Sequence, residues 1–246
     1  GNITIKNSTI NGSNFAVHFD GSEGGNIVFE YTDITGWASY ASTVNNVSYT
    51  GCYFDQGDYY FGHRYYNKNI SFTDCTFKDG LLIDLRASGS NVAFTDADMT
   101  VAEVKALFKD PYYVANGNVT LNNEQVTYAA SGYTAGGSKY FDNLQDAIDE
   151  VINGGYITVR SHIELTEGVI VPAGKNITLD LNGYTITGTP TEAAAFAVIT
   201  NNGNLTIDDA QNGKILCNHN LAPSTGYAVN TITNNGTLTV VAGTIE

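Results

Sequence analysis

The sequence predicts an all-β fold, specifically a right-handed parallel β-helix, because one short phrase recurs along its first half. The phrase opens with Asn and has apolar residues one, three and eight places later, as in Ile3, Ile5 and Ile10. It begins at Asn2, Asn26, Asn46, Asn69, Asn91 and Asn118, so the first five copies are 24, 20, 23 and 22 residues apart. A repeat of this length indicates a solenoid, and apolar residues two places apart indicate strands.

Two columns of equivalent positions support this interpretation. The Asn column suits tight turns, since Asn tolerates a left-handed backbone and its amide can bond to an identical amide one coil away. In the first five copies the sixth place after the Asn is small, which predicts an interior stack. Its members are Ser8, Thr32, Cys52, Cys75 and Ala97.

The second half repeats the pattern with looser spacing, from Asn176, Asn204 and Thr237. Gly183, Gly213 and Gly243 follow the opening strands at expected turn positions, where a residue without Cβ can adopt positive φ. A second run of coils is therefore predicted.

Charge and hydropathy argue against two classes of partner. The formal net charge is -14 with only 11 Lys and Arg residues, which disfavours a nucleic acid. No apolar stretch reaches the length of a membrane span, so membrane insertion is not expected. The Asp-rich turns are attributed to turn chemistry, with weak Ca²⁺ binding as the minority interpretation, and no other cofactor is predicted.

Cys52, Cys75 and Cys217 form no zinc-binding motif and cannot build a disulfide framework. Cys52 and Cys75 occupy one column of adjacent coils. A bridge between them is geometrically conceivable, but buried free thiols are the favoured interpretation.

Two helices are predicted among the strands. Residues 100–109 begin with a Thr100–Glu103 capping box and place Val101, Val104, Leu107 and Phe108 on one face. The second helix runs from Leu144 to about Asn153, with Asp142 as its expected cap and Gln145 three residues on. Between the helices, residues 129–139 are small and Gly-rich, which predicts a linker or exposed loop.

These features divide the chain into two β-helical segments with short capping helices. Residues 1–130 are expected to be coils of a first β-helix, with its helix at about 100–109. Residues 131–246 are expected to hold a capping helix and the first coils of a second. Because both termini fall inside a repeat, the chain is expected to continue into further domains of a longer protein.

Residues 140–188 contain LQDAID, IELTEGVIVPAGKNITLDLNG and TITG. This stretch resembles the opening of pectate-lyase-like right-handed β-helix domains in large surface proteins of Gram-positive and gut bacteria. The resemblance implies an extracellular or cell-surface protein whose β-helices serve as stalks or adhesive surfaces. Residues 1–130 share only the coil pattern.

A candidate ligand-binding face is predicted where residues 15–19, 37–41, 59–64 and 81–86 stack as one sheet. Aromatic rings beside polar groups are what a sugar-binding surface uses, since the apolar face of a sugar stacks on a ring and its hydroxyls need partners. The candidate residues, for a glycan or host-surface ligand, are Tyr40, Tyr60, His63, Arg64, Tyr66, Asp84 and Arg86.

The expected function is therefore a non-catalytic, adhesin-type surface segment. A polysaccharide lyase or glycoside hydrolase is the alternative, and a phage fibre or spike segment is a second. The catalytic motifs of β-helical hydrolases are not found, and the nearest fragments are residues 62–64 and Asp208–Asp209. Consecutive carboxylates on a strand face opposite sides, which is unsuitable for an acid and nucleophile pair.

Overall fold

A computed structural model describes residues 1–20, 24–58, 62–191, 194–218 and 227–246. Parallel strands dominate it and stack as successive coils of a β-solenoid, which confirms the predicted fold class. The chain divides into two compact units, Gly1–Thr127 (unit 1) and Tyr128–Glu246 (unit 2).

Unit 1 contains thirteen strands and two short helices among its described residues. In chain order they are β1 (Ile3–Lys6), β2 (Thr9–Phe19), β3 (Asn26–Glu30), β4 (Asp33–Tyr40), β5 (Asn46–Thr50), β6 (Tyr53–Asp55), β7 (His63–Tyr65), β8 (Asn69–Thr73), β9 (Thr76–Phe77), β10 (Ile83–Leu85), β11 (Asn91–Thr95), α1 (Val101–Leu107), α2 (Pro111–Ala115), β12 (Asn118–Leu121) and β13 (Glu124–Gln125).

The repeated phrases form one sheet, in the order β1-β3-β5-β8-β11-β12, and β13 closes its end as an antiparallel strand. A second sheet is centred on β4. Its first half pairs with β6 and its second half with β7, while β2 lies along its other side. Strands β9 and β10 extend these pairings to the next coil.

The Asn column forms the expected side-chain ladder. Asn46 donates its side-chain amide to Asn26 at 2.6 Å and Asn91 donates to Asn69 at 3.0 Å, whereas Asn69 donates to the Asn45 carbonyl. The expectation of a left-handed backbone in this column is wrong, since none of these Asn residues has positive φ and all but Asn2 open an extended strand. The positive φ occurs five places later, where the strand ends in a turn, at Asn7, Tyr31, Gly51, Asp74 and Asp96.

Aromatic rings fill the interior of unit 1 as a continuous stack. Phe29, Tyr49, Phe72 and Phe94 occupy the third place of successive phrases, with ring centroids 5.0 to 5.1 Å apart. In the small column Thr32 and Cys52 are buried, and Ser8, Cys75 and Ala97 are half-buried. Because strands on successive coils are in register, equal side chains meet at van der Waals distance.

Helix α1 has the predicted capping box. The Thr100 hydroxyl accepts from the Glu103 amide at 3.2 Å, and the Glu103 carboxylate accepts from the Thr100 amide at 2.7 Å. Val104 and Leu107 are buried, but Val101, predicted on the same face, is exposed. Helix α2 was not predicted; Asp110 caps it and Pro111 occupies its first turn.

Unit 2 contains thirteen strands and one helix among its described residues. They are β14 (Ala130–Thr134), β15 (Gly137–Phe141), α3 (Leu144–Glu150), β16 (Gly155–Val159), β17 (Ile163–Leu165), β18 (Val169–Val171), β19 (Asn176–Asp180), β20 (Thr185–Gly188), β21 (Phe196–Asn201), β22 (Asn204–Asp208), β23 (Lys214–Cys217), β24 (Val229–Asn234), β25 (Thr237–Val240) and β26 (Thr244–Ile245).

Three parallel sheets surround the core of unit 2. They run β16-β19-β22-β25, β17-β20-β23-β26 and β18-β21-β24. The core is a cluster of aliphatic side chains, including Ile157, Leu179, Ile186, Val198 and Ile207.

The predicted linker at residues 129–139 is instead part of an antiparallel hairpin. Strands β14 and β15 pair with each other, and β14 also pairs with β16. The small residues allow close approach rather than flexibility: a Cβ on Gly132 would lie 2.4 Å from the Val151 side chain. Prediction from composition alone missed this packing.

The ends of α3 also differ from expectation. Asn143, not Asp142, caps the helix by accepting from the Asp146 amide at 2.8 Å. The helix ends at Glu150, and Val151 is extended, so Ile152 is exposed rather than part of the apolar stripe.

The three predicted glycine turns of unit 2 differ in which residue has positive φ. Gly183 and Gly243 have positive φ, as predicted. Gly213 does not; the adjacent Asn212 takes the left-handed conformation. Gly213 is required for space, since its Cβ would lie 2.5 Å from that of Leu181.

Candidate ligand-binding surface

The predicted face is the second half of the β4 sheet, where strand register decides which side chains reach the surface. Ala38 pairs with His63, which pairs with Ile83, and this column points into the core. The next column contains His18, Ser39, Arg64 and Asp84 and lies on the outer side. Side chains alternate along a strand, so the third column is again internal.

Two candidate residues therefore have the opposite orientation to the one predicted. Tyr40 and His63 are fully buried, with 0% and 1% exposure, and cannot contact a ligand at the surface. Because aromatic residues are dense around them, the sequence did not decide which of the alternating side chains face the core. Tyr60 lies outside the described residues. Arg64, Tyr66 and Arg86 lie on the outer side. Asp84 is on the same side but is buried, with 3% exposure, among the basic side chains that it pairs with.

Tyr40 belongs to a buried tyrosine cluster with Tyr49 and Tyr65. The Tyr40 and Tyr65 rings stack with centroids 4.9 Å apart, and the Tyr49 and Tyr65 hydroxyls share a hydrogen bond of 2.9 Å. Burial raises the pKa of all three phenols above the ordinary value. The three phenols therefore remain neutral and pack as part of the core.

On the outer side, three basic residues converge on the carboxylate of Asp84. Arg86 contacts it at 2.7 Å through Nε, Arg64 at 3.1 Å through Nε, and Lys109 at 3.6 Å through Nζ. Burial opposes the charge on Asp84, but the two guanidinium groups hold the pKa of this carboxyl below its ordinary value. Three cations and one carboxylate give the cluster a formal charge of +2, in a chain whose net charge is -14.

Lys109 was missed in sequence because it follows helix α1, far along the chain from β10. A bridge between Ile83 and Phe108 brings it to Asp84. This pairing follows from the tertiary path of the chain, and no local signal marks it.

Aromatic rings border the cluster. The Arg64 guanidinium lies 5.4 Å from the centre of the half-buried Trp37 ring, and Trp37 stacks on Phe15 at 4.0 Å. Tyr66 is 41% exposed and follows Arg64 by two residues, so it lies on the same side of the sheet. We call Phe15, Trp37, Arg64, Tyr66, Asp84, Arg86 and Lys109 the basic–aromatic face.

This face combines rings that can stack with donors held in place by ion pairs. A planar guanidinium fixed by a carboxylate presents oriented N–H groups, and a ring beside it offers an apolar contact. Such a surface can bind a ligand that has both hydroxyl groups and an apolar face.

Of the consecutive carboxylates Asp208 and Asp209, the nearest fragment to a catalytic motif in unit 2, Asp209 has a structural role. Asp209 is buried and accepts backbone N–H bonds from Gly183, Gln211 and Gly213 at 2.6 to 3.1 Å. Burial disfavours its charge, but these donors lower the pKa of the Asp209 carboxyl overall. Both carboxylate oxygens of Asp209 therefore accept hydrogen bonds within a turn of unit 2.

Within the described ranges, no group of three or more His, Cys, Asp or Glu side chains is arranged to hold a metal ion. No helix in the described part of the chain is both long and apolar enough to span a bilayer.

A scan against protein-family models and searches of curated proteins and of solved structures found no match to this chain. The assignment of the β-solenoid fold therefore rests on the structure and not on similarity to a known protein.

Proposed function

We propose that this chain is a non-catalytic, carbohydrate-binding β-helix segment of an extracellular or cell-surface protein. In this proposal the β-helical units are stalk segments of the pectate-lyase-like type found in bacterial surface proteins. The basic–aromatic face is its contact surface. The observation that carries the proposal is the juxtaposition of Trp37 and Tyr66 with the ion-paired Arg64 and Arg86.

The geometry suits a sugar better than a flat apolar partner. A pyranose ring stacks its C–H face on an aromatic ring, and its hydroxyls bond to fixed donors and acceptors. Trp37 and Tyr66 supply the rings, while Arg86, 42% exposed at its side chain, supplies donors. Because parallel coils hold these groups on adjacent strands, little ordering is needed on binding.

A glycan array probed with the wild-type chain tests the proposal. The Tyr66→Ala, Arg86→Ala double variant should lose a stacking contact and charged donors, which together correspond to about 2 kcal/mol, or roughly 30-fold in Kd. Titration calorimetry with the best glycan of the array measures that change.

The matched control is a Tyr156→Ala, Lys6→Ala double variant, which removes an exposed tyrosine and a cation elsewhere in the chain. It should bind like the wild type. Equal loss in both double variants, or no glycan bound by the wild type, would refute the proposal. Release of reducing ends or unsaturated products from pectins or alginates would favour the lyase or hydrolase alternative.

A further inference from the structure

Cys52 and Cys75 face each other on consecutive coils of unit 1. Strands β6 and β9 pair Tyr53 with Thr76, and the Thr76 amide donates to the Cys52 carbonyl at 2.9 Å. The residues just before this pair are therefore in register as well. Both thiols are free, and each donates to the carbonyl two residues earlier, that of Thr50 or Thr73.

The strand spacing makes a bridge reachable. Paired residues of adjacent strands lie about 4.8 Å apart, within the range of about 4.4 to 6.8 Å that disulfides span between Cα atoms. A disulfide needs Cβ atoms about 3.5 to 4.5 Å apart, so the two coils must draw together by less than about 1 Å. A bridge formed this way carries some strain, which makes it easily reduced.

A groove gives small reagents access to Cys75, whereas Cys52 is buried, with 2% exposure, and does not line it. The groove has a volume of about 460 Å³, and Cys75 is in its wall. Its charged lining is mostly acidic, consisting of Asp74, Asp79, Asp96, Asp98 and Glu103 beside the single cation Lys78. Such a lining attracts cationic reagents and repels anionic ones.

Ionisation is easier for Cys52 than for Cys75. When Cys52 loses its proton, the Cys75 S–H can turn from the Thr73 carbonyl to the Cys52 sulfur, which lowers the pKa of Cys52 to about 7 and raises the pKa of Cys75. Thiolate is the form that attacks disulfides.

We propose that Cys52 and Cys75 form a reversible oxidative modification site, closed to an intercoil disulfide by small cationic disulfides that enter through the acidic groove. The bridge would link the third and fourth coils of unit 1 covalently. Cys217, in unit 2, takes no part.

The reaction with cystamine, a small dicationic disulfide, proceeds in two exchange steps. The Cys75 thiol, in the groove wall, loses its proton to solvent and attacks a cystamine sulfur; the cystamine S–S bond breaks, and one cysteamine leaves as its thiolate. Cys52 then loses its proton to solvent, attacks the Cys75 sulfur of the mixed disulfide and displaces the other cysteamine. The protein gives up two electrons and two protons, and cystamine is reduced to two cysteamine molecules.

The test treats the native chain with cystamine and counts thiols. The chain begins with three cysteines. We expect one free thiol to remain, a mass lower by two hydrogen atoms with no adduct, and a linked Cys52–Cys75 peptide after digestion. Mild dithiothreitol should restore all three thiols. A persistent cysteamine adduct on Cys52 or Cys75, or three unreacted thiols in the native protein, would overturn the proposal.

Two comparisons complete the test. Cys217→Ser should form the bridge at the wild-type rate, whereas Cys75→Ser should form none; a bridge lost in Cys217→Ser would contradict the assignment. Oxidised glutathione, which is anionic, should react at least about 10-fold more slowly than cystamine because of the acidic lining. Equal rates for the two reagents would show that they do not reach the cysteines through the acidic groove. The thiol count, the mass and the peptide analysis are made on the wild-type chain, so they do not depend on whether a serine variant folds.

Discussion

Consecutive residues of β7 have opposite environments. His63 and Tyr65 lie in the core, whereas Arg64 between them forms an ion pair on the outer side. The imidazole is packed between Ala38 and Ile83 on neighbouring coils, with the Phe54 ring 5.4 Å away. Burial lowers the pKa of His63 to about 4, although the Gly36 backbone and Asp55 act in the opposite direction. This histidine is neutral in the folded state.

The buried imidazole should make the protein sensitive to acid. Because its pKa is about 4 when folded and about 6.5 when unfolded, the unfolded chain gains a proton first as pH falls. The contribution to stability is full above pH 6.5 and declines as pH falls towards 4, by about 3 kcal/mol in total. His63→Leu should remove this part of the pH dependence of urea unfolding.

His18→Leu is the matched control, since His18 is exposed. Because His63 is intact in this variant, the loss of stability between pH 7 and pH 4 should remain. If the His63→Leu curve between pH 7 and pH 4 were parallel to the wild-type curve, the imidazole would not be the cause of the acid sensitivity.

At the scale of elements, local capping explains where the helices begin. Thr100 and Glu103 satisfy two amides at the start of α1, and Asn143 serves α3 in the same way through a single bond to the Asp146 amide. A short helix leaves a large share of its amides unpaired at its ends, so these caps matter more than they would in a long helix.

Removing the cap of α1 should destabilise unit 1 modestly. Thr100→Ala deletes the acceptor of the Glu103 amide and should lower the free energy of unfolding by about 1 kcal/mol. Thr100→Ser keeps the hydroxyl and should restore most of that stability. Chemical denaturation of both variants measures the difference; an equal loss in Thr100→Ser would mean that the methyl group, not the hydrogen bond, is responsible.

At the scale of the whole molecule, each unit has its own interior. Unit 1 is built around the aromatic stack that runs from Phe29 to Phe94, and unit 2 around an aliphatic cluster. Solenoids gain stability coil by coil from their nearest neighbours, so a unit with several coils and a covered core can fold alone.

We expect fragments 1–127 and 128–246 each to fold when expressed separately. The first should keep a near-ultraviolet circular dichroism signal from its stacked rings, and the second should show a cooperative thermal transition. A fragment that remains unfolded alone but folds when mixed with the other would show that the two cores are interdependent.

The sequence by itself determined the repeat, and with it the fold class. Equivalent positions such as Asn26, Asn46 and Asn69 do pair across coils, because a strand pattern repeated once per turn stacks in only one register. The capping box of α1 was predictable for a similar reason, as it depends on residues three apart. The left-handed turn residues were assigned to the wrong column, since Asn, Asp and Gly suit several positions of a turn.

Only the tertiary structure decided which face of the β4 sheet is exposed. In a run such as Gly62-His63-Arg64-Tyr65-Tyr66, both alternating sets contain rings and polar groups, so local pattern cannot select the buried one. The choice depends on packing against rings from other coils, as with Tyr40 on Tyr65. Lys109 reaches Asp84 only because the chain passes through α1 first. Contacts between residues distant in sequence are set by the path of the backbone, which a local pattern does not encode.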